Sequence, residues 1–382
     1  MATFKLFSIF LRLGLTSFGG PIAHIGFFRA EFVEKQRWFD DTQFAQWIAL
    51  CHALPGPSSS QLGFLIGYQR GGWSGAIAAF IGFTLPSALI MTALAYGWFA
   101  YHQAWSQIIQ ALLIVAAAVV IHATWSMAKQ FCTQWYLALI AVFCALILVF
   151  FPSVLTPIGL LLALGLIGQF FKPQTSTLML SLPRVPGKKL ALILLITPLI
   201  LLLLLPGLVQ WLPSLNLFDK VFRAGALVFG GGHVVLPYLQ LELVLPGLVT
   251  ESAFLSGYAL AQTLPGPLFS FASYLGALTQ GWIGAVVATV AIFLAGLMWI
   301  IGILPFYQSL LNQPRFQAGL VAIQAGVVGF LLAALINPIL PHALTDWLSV
   351  AVMLINLALL FLFRFSIIWL ITLNLIIYGL IF

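Results

Sequence analysis

The stretch HALPGPSSSQLGF, residues 52–64, sets two prolines around a glycine inside an otherwise apolar run, and QTLPGPLFSFASY, residues 262–274, repeats the pattern about 210 positions later. Proline removes a backbone donor and clashes with the preceding turn, so Pro55-Gly56-Pro57 ends one half-helix and lets a second begin at Pro57, a residue favoured in the first turn. The same reading holds for Pro265-Gly266-Pro267. A half-helix that starts inside a membrane presents free backbone N–H groups and the positive end of its dipole, and both attract an anion. Ser58, Ser59 and Ser60 add hydroxyl donors after the first break, whereas Ser270 and Ser273 are the hydroxyls near the second. The plainer alternative is a kink that serves packing alone.

Both motifs lie in membrane-like surroundings. Of 382 residues, 62% are hydrophobic and 6% charged, with a mean hydropathy of +1.12, far from the composition of a soluble domain. Runs such as Trp135–Phe151, Leu190–Leu205 and Trp347–Phe363 approach the roughly 20 apolar residues that a spanning helix needs. The expected fold is therefore an all-α polytopic membrane protein, with the lipid bilayer as its surroundings. The net charge of +7 comes from 15 Lys and Arg scattered among loops rather than gathered into a stripe, so it speaks for topology and against a nucleic-acid partner. Cys51, Cys132 and Cys144 lie in apolar context without ligand spacing and read as small buried hydrophobes, with no metal or cofactor expected. Arg12 interrupts the N-terminal apolar run and no cleavage site follows, so the N-terminus reads as mature sequence. The chain carries no GxxxxGK[ST], GxSxG or HExxH, which disfavours an ATP-driven pump or a hydrolase and leaves catalytic residues unassigned.

The repeat extends well beyond LPGP. Laying residues 6–21 over 217–232 superposes Arg12 on Arg223, Gly14 on Gly225, Phe18 on Phe229, and Gly19 and Gly20 on Gly230 and Gly231. Further on, Glu31 falls on Glu242, Asp41 on Glu251, and GGWSGA (71–76) on QGWIGA (280–285). The chain is an internal duplication. Each half reads as six apolar segments, centred near residues 12, 55, 85, 117, 143 and 162 and near 228, 266, 292, 326, 355 and 374. The expected organisation is a first repeat over 1–171, a cytoplasmic linker with one unpaired helix over 172–217, and a second repeat over 218–382. That makes about 13 transmembrane segments. The odd number separating equivalent elements predicts an inverted repeat with broken helices, as in many secondary transporters. With the N-terminus in the cytoplasm, the loops bearing Arg70, Lys129, the cluster Lys172, Arg184, Lys188 and Lys189, then Arg315 and Arg364 fall inside, as the positive-inside rule asks. The exception is the loop segment 29–41, which falls outside with Arg29, Lys35 and Arg37, accompanied by Glu31, Glu34, Asp40 and Asp41.

The charged residues inside these segments are the remaining candidates. Arg12 and Arg223 sit seven residues before Gly19 and Gly230, two helical turns along one face, so Arg12 points past Thr16 toward the break. A membrane arginine is costly unless paired or wet, and its planar fork suits a tetrahedral oxyanion, although near a helix end it can snorkel. Glu31 and Glu242 are candidates for proton coupling or for pairing with the arginines. Asp41 and Glu251 read as interfacial helix caps. His24, His52 and His233 lie near the breaks without metal spacing. Ser59, Gly63, Gly67 and Gly71 recur every four residues as a face for close helix packing.

The F-G-G-P after an arginine-bearing first helix, the LPGP in each half, the G-G-W-x-G and the two-fold repeat together resemble the chromate ion transporter family in its long, two-domain form. The resemblance covers nearly the whole chain and is strongest over 7–98 and 218–304. It implies export of chromate across the bacterial inner membrane, conferring chromate resistance, with sulfate as the structurally similar anion. It also implies substrate roles for Arg12, Gly19, Gly20, Pro55, Gly56 and Pro57, and for Arg223, Gly230, Gly231, Pro265, Gly266 and Pro267. The second half departs from the first in having Gly232 and His233 for Pro21 and Ile22 and in lacking the serine triplet, which sets equal participation of the halves in question. Two other functions fit parts of the pattern: an importer of sulfate or another oxyanion, and a membrane enzyme acting on lipid phosphates. The second would want a clustered base at an interfacial loop, which is not evident. A homodimer is left open.

Overall fold

The computed structural model describes residues 3–18, 20–101, 106–153, 155–170, 184–229, 234–307, 309, 313–363, 365 and 367–381. Every regular element among them is helical. The first half comprises α1 (Thr3–Thr16), α2 (Gly20–Arg29) with a π-helical continuation Ala30–Lys35, α3 (Asp41–Ala53), α4 (Ser58–Tyr101), α5 (Ser106–Phe131), α6 (Trp135–Phe150) and α7 (Leu155–Ile167). After α8 (Lys188–Trp211), the second half gives α9 (Asn216–Ala226), α10 (Val235–Leu239) with a π-helical continuation Gln240–Val244, and α11 (Glu251–Thr263). It continues with a 3₁₀ turn Leu268–Ser270, α12 (Phe271–Gly302), α13 (Pro314–Ala334), α14 (Leu340–Ala343), α15 (Trp347–Leu362) and α16 (Ile367–Ile381). Ser58–Trp98, Ile108–Phe131, Lys188–Trp211, Leu268–Gly302 and Pro314–Ala343 are long and apolar enough to cross a membrane, and shorter apolar helices accompany them. The chain is a helical, multi-pass membrane protein in two halves. Most of linker 172–189, with Lys172, lies outside the described residues, as does Arg364.

The sequence reads residues 58–101 as two segments, and the structure shows how they join. Gly72 has φ 65° and ψ −152°, and Gly281 in α12 has φ 64° and ψ −151°, a backbone that side-chain-bearing residues rarely adopt. A methyl built on Gly67 would lie 2.5 Å from the Gly75 carbonyl oxygen, although eight residues span about 12 Å along a straight helix. The chain therefore folds back at Gly72 into a tight hairpin of arms 58–71 and 73–101. Gly276 and Gly284 meet in the same way in α12. The small-residue face expected after the first break is this close packing. The turn is clamped from the linker: Arg184 and Gln69 exchange two hydrogen bonds at 2.7 and 2.8 Å, and the Arg184 guanidinium donates to the Tyr68 carbonyl.

Helix α1 packs against both arms. Phe10 meets Gly63 and Leu6 meets Gly71, so the first arm runs antiparallel to α1; Leu6 meets Gly75 and Gly14 meets Phe83, so the second arm runs parallel to it. The second arms of the two halves pack antiparallel to each other. Phe80 stacks edge-on against Phe293 at 5.1 Å, and the Tyr96 hydroxyl lies beside Gly281.

Three local features differ from the sequence reading. Residues 29–35 are helical rather than loop, because the charged side chains of this stretch ride on a continuation of α2. Pro57 is the cap rather than the first residue of its helix: its carbonyl accepts the Gln61 N–H at 2.9 Å, and the helix proper begins at Ser58. The caps expected at Asp41 and Glu251 sit one residue earlier, on Asp40 and Thr250, whose side chains accept from Gln43 and Ala253. Asp41 instead binds Arg29 at 2.8 Å, and Glu251 faces His342 at 3.6 Å. Cys51 and Cys144 are buried and Cys132 half-buried, all as free thiols.

Candidate functional site

The two LPGP breaks meet the opposite halves of the molecule. Leu54 and Leu264 leave their helices in extended conformation, and Gly56 and Gly266 follow with φ of 119° and 93°. The Gly56 N–H donates 2.6 Å to the carbonyl of Val228, just past α9, and the Gly266 N–H donates 2.9 Å to the carbonyl of Ser17, just past α1. Ser17 and Val228 are equivalent positions, as are Gly56 and Gly266, so the exchange is two-fold symmetric. Each break thus satisfies an orphan carbonyl at a helix end of the other half. Steric contact follows the same symmetry: a methyl on Gly56 would meet the Gly296 backbone at 2.7 Å, and one on Gly266 the Ser87 hydroxyl at 2.8 Å.

Buried polar side chains with unused hydrogen-bonding capacity occur at the start of helix 58–71 and on the elements beside it. Ser17 Oγ, Ser58 Oγ, Ser60 Oγ, Thr84 Oγ1, Gln61 Oε1 and His24 Nε2 make no hydrogen bond, and all six residues are at most 3% exposed. His24 reaches the first turn of this helix, with Nδ1 at 3.3 Å from Ser59 Oγ, and sets its ring edge-on to Phe83. Gln61 donates to the Pro55 carbonyl at 2.8 Å and to the Gly296 carbonyl at 3.1 Å, which bridges the break to the second half. An unpaired buried hydroxyl or amide costs about 1–3 kcal/mol, and three of the six, on Ser58, Ser60 and Gln61, stand in the first turn of helix 58–71, with Ser17, His24 and Thr84 on other elements. The free N–H groups of the first turn of 58–71 and its positive dipole end favour a negative charge there.

The arginines are paired with the glutamates. Arg12 reaches Glu31 at 2.6 Å, and Glu31 also receives Gln36 at 3.0 Å and Lys35 at 3.6 Å. Arg223 reaches Glu242 at 3.1 Å, holds Asp219 with two hydrogen bonds at 2.8 and 3.1 Å, and shares Glu242 with Lys220. Both glutamates are thus partners of the arginines. The two clusters differ in exposure, since the Arg12 side chain is 49% accessible and that of Arg223 15%.

The structure brings Pro55, Gly56, Pro57, Ser58 and Ser59 together at the first break, and Pro265, Gly266 and Pro267 at the second. Thr16 donates back to the Arg12 carbonyl at 2.8 Å, and Gly20 has the positive φ, 75°, of a break. Gly19, Gly230, Gly231 and His233 lie outside the described residues. Ser17, Gln61 and Thr84 carry no signal in the sequence, because isolated hydroxyls and amides in apolar runs look like packing. Asp219 and Lys220 were passed over because Ser8 and Ile9 stand opposite them in the repeat. Among the described residues no cluster has the makings of a metal site.

Residues 4–169 and 215–380 each match a family model described as chromate transporter. The chain is 32% identical over 340 residues to a chromate transport protein of Pseudomonas aeruginosa, covering 87% of this chain and 80% of that one. It is 27% identical over 378 residues to a chromate transport protein of Cupriavidus metallidurans, covering 94% and 88%. An uncharacterized transporter of Methanocaldococcus jannaschii is 27% identical over 366 residues, covering 94% and 89%. No solved structure matches.

Proposed function

Since the chain belongs to the chromate transporter family, we propose that it is a secondary transporter of the bacterial inner membrane that exports chromate and so confers resistance to it. The dianion binds near the midplane where the breaks of two inverted repeats converge. What supports the inversion is the antiparallel crossing of the second arms and the reciprocal hydrogen bonds from Gly56 and Gly266. The observation that carries the binding site is the unpaired, buried Ser58, Ser60 and Gln61 side-chain atoms at the start of helix 58–71, with His24 beside Ser59. Chromate is a tetrahedral dianion with four acceptor oxygens, and hydroxyl donors, first-turn N–H groups and a helix dipole match it without a metal. Arg12, half-exposed and held at the edge by Glu31, draws the anion toward the break.

Export needs no ATP. Moving one charge through the membrane potential is worth roughly 2.3 kcal/mol per 100 mV, so a dianion leaving a negative interior gains about 4.6 kcal/mol, on the order of a thousandfold gradient. Proton entry through Glu31 and Glu242 adds to this, and substitution of both by Gln removes the pH dependence of transport. The test is radiolabelled chromate uptake into inside-out vesicles with an inside-positive potential, with and without excess sulfate. Saturable, potential-driven uptake that is lost in Arg12→Ala is expected. Absence of uptake by the native protein sinks the chromate reading, and full competition by sulfate widens it to oxyanions of this shape.

A further inference from the structure

The duplicated halves are not chemically equivalent, and their differences fall on the residues around the breaks. The six unpaired polar side chains of the first half are Ser17, His24, Ser58, Ser60, Gln61 and Thr84. In the second half the aligned positions hold Val228, Val235, Leu268, Ser270, Phe271 and Phe293, so five of the six are apolar. All of these replacements are buried, and Phe269, opposite Ser59, packs on Phe293 with ring centroids 5.8 Å apart. The second helix also starts differently, with a 3₁₀ turn Leu268–Ser270 before the α-helix, which spoils the aligned first-turn N–H groups that an anion uses.

The charged clusters differ in the same direction. In the first half two cations, Arg12 and Lys35, share one carboxylate, Glu31, which leaves one positive charge in excess. In the second half Arg223 and Lys220 face two carboxylates, Glu242 and Asp219, and the count balances. Asp219 takes the guanidinium fork with two parallel hydrogen bonds, the arrangement a tetrahedral oxyanion would adopt. Its counterpart Ser8 has no charge.

We infer that the oxyanion seat lies in the first half alone, and that the second half is a plugged copy. There apolar side chains fill the positions of the polar donors, and the Asp219 carboxylate occupies the arginine that an anion would otherwise claim. This rests on the transport reading and names its site. The second half keeps the break for architecture: Gly266 still caps the helix end at Ser17, inside the polar cluster. A duplicated transporter built this way carries one dianion per chain rather than two, and only one wall of its path is polar.

The test uses the full chain in lipid nanodiscs with chromate as the probe. Equilibrium binding of radiolabelled chromate is expected at one per chain, weakened at least tenfold in Ser58→Ala/Ser60→Ala and changed less than twofold in Phe271→Leu. Hydrogen exchange on the unaltered protein gives a readout independent of variant folding: chromate is expected to slow exchange across residues 57–62 and not across 267–272. Two chromates per chain, or protection of the second-half segment equal to that of the first, overturns the inference while leaving transport intact. The same holds for chromate bound with full affinity in the double serine variant. Absence of any bound chromate overturns the transport reading itself.

Discussion

Gly56→Ala offers the sharpest test of the idea that the LPGP breaks lock the halves together. Gly56 has φ of 119°, its N–H donates to Val228 across the molecule, and a methyl there would sit 2.7 Å from the Gly296 Cα and 2.9 Å from the Gln61 amide nitrogen. The Gln61 side chain can swing aside; the Gly296 backbone cannot. Forcing a left-handed backbone on alanine costs roughly 1–2 kcal/mol, overpacking against fixed atoms about 1–3 kcal/mol more, and leaving a buried donor unpaired about 1–3 kcal/mol. The expected loss is about 3–6 kcal/mol, allowing for partial relaxation. Gly247→Ala is the matched comparison, since Gly247 has φ of 77° and nothing within 4 Å of the added methyl, so only the backbone contribution applies. At roughly 2 °C per kcal/mol for a chain of this size, fluorescence-detected size-exclusion after heating should place Gly56→Ala about 6–12 °C below the native protein and Gly247→Ala about 2–4 °C below it. Equal shifts for the two variants would refute the cross-half lock, because the contacts with Gly296 and Val228 would then contribute nothing.

The ion clusters give a second contrast: Arg223→Ala leaves Asp219 buried without its cation and Glu242 with Lys220 alone, and should cost about 3–5 kcal/mol, whereas Arg12→Ala, at a half-exposed pair, should cost about 1 kcal/mol or less in the same thermal assay. Asn356 and Asn374 exchange two buried amide hydrogen bonds at 2.8 and 3.1 Å between α15 and α16. Each single change to Leu should cost about 1–3 kcal/mol by orphaning its partner, while the double change should cost less than the sum; additive shifts in thermal stability would show that the pair is not coupled. Arg184→Ala removes the guanidinium from the Tyr68 carbonyl and should lower stability by about 1–2 kcal/mol and speed trypsin cleavage at Arg70 beside the Gly72 turn, with unchanged cleavage rates refuting the clamp.

Much of the architecture was legible because membranes leave few choices. A run of apolar residues without charge must be a helix, and the duplicated LPGP marked the breaks. The hairpin at Gly72 was harder to read, since the four-residue spacing of Gly63, Gly67 and Gly71 continues a helical pattern up to the turn. The reversal itself is legible, since Arg70 lies in a loop between the segments centred near 55 and 85, but not how tightly its two arms pack. Arg12 and Glu31 are 19 residues apart with a break between them, so their pairing depends on an angle that no local pattern encodes. The polar cluster was least legible, because Ser17, His24, Ser58 and Thr84 come from four elements and each taken singly looks like an ordinary polar residue in a packed helix. Burial without a partner is a tertiary property, visible only once the elements are assembled.

The reciprocal bonds at the breaks also bear on how such a molecule changes shape. A transporter must alternate between states separated by a few kcal/mol, since a ligand shifts such an equilibrium only by its differential affinity. Each half here is tied to the other at its break through one glycine N–H and a backbone contact, and a hydrogen bond of this kind contributes about 0.5–1.5 kcal/mol net. Further hydrogen bonds cross between the halves, from Gln61 to Gly296, Gln110 to Ala343 and Gln324 to His52, so rocking one half against the other disturbs more than the two breaks. The Arg223 cluster, with two carboxylates and little exposure, is far more costly to open.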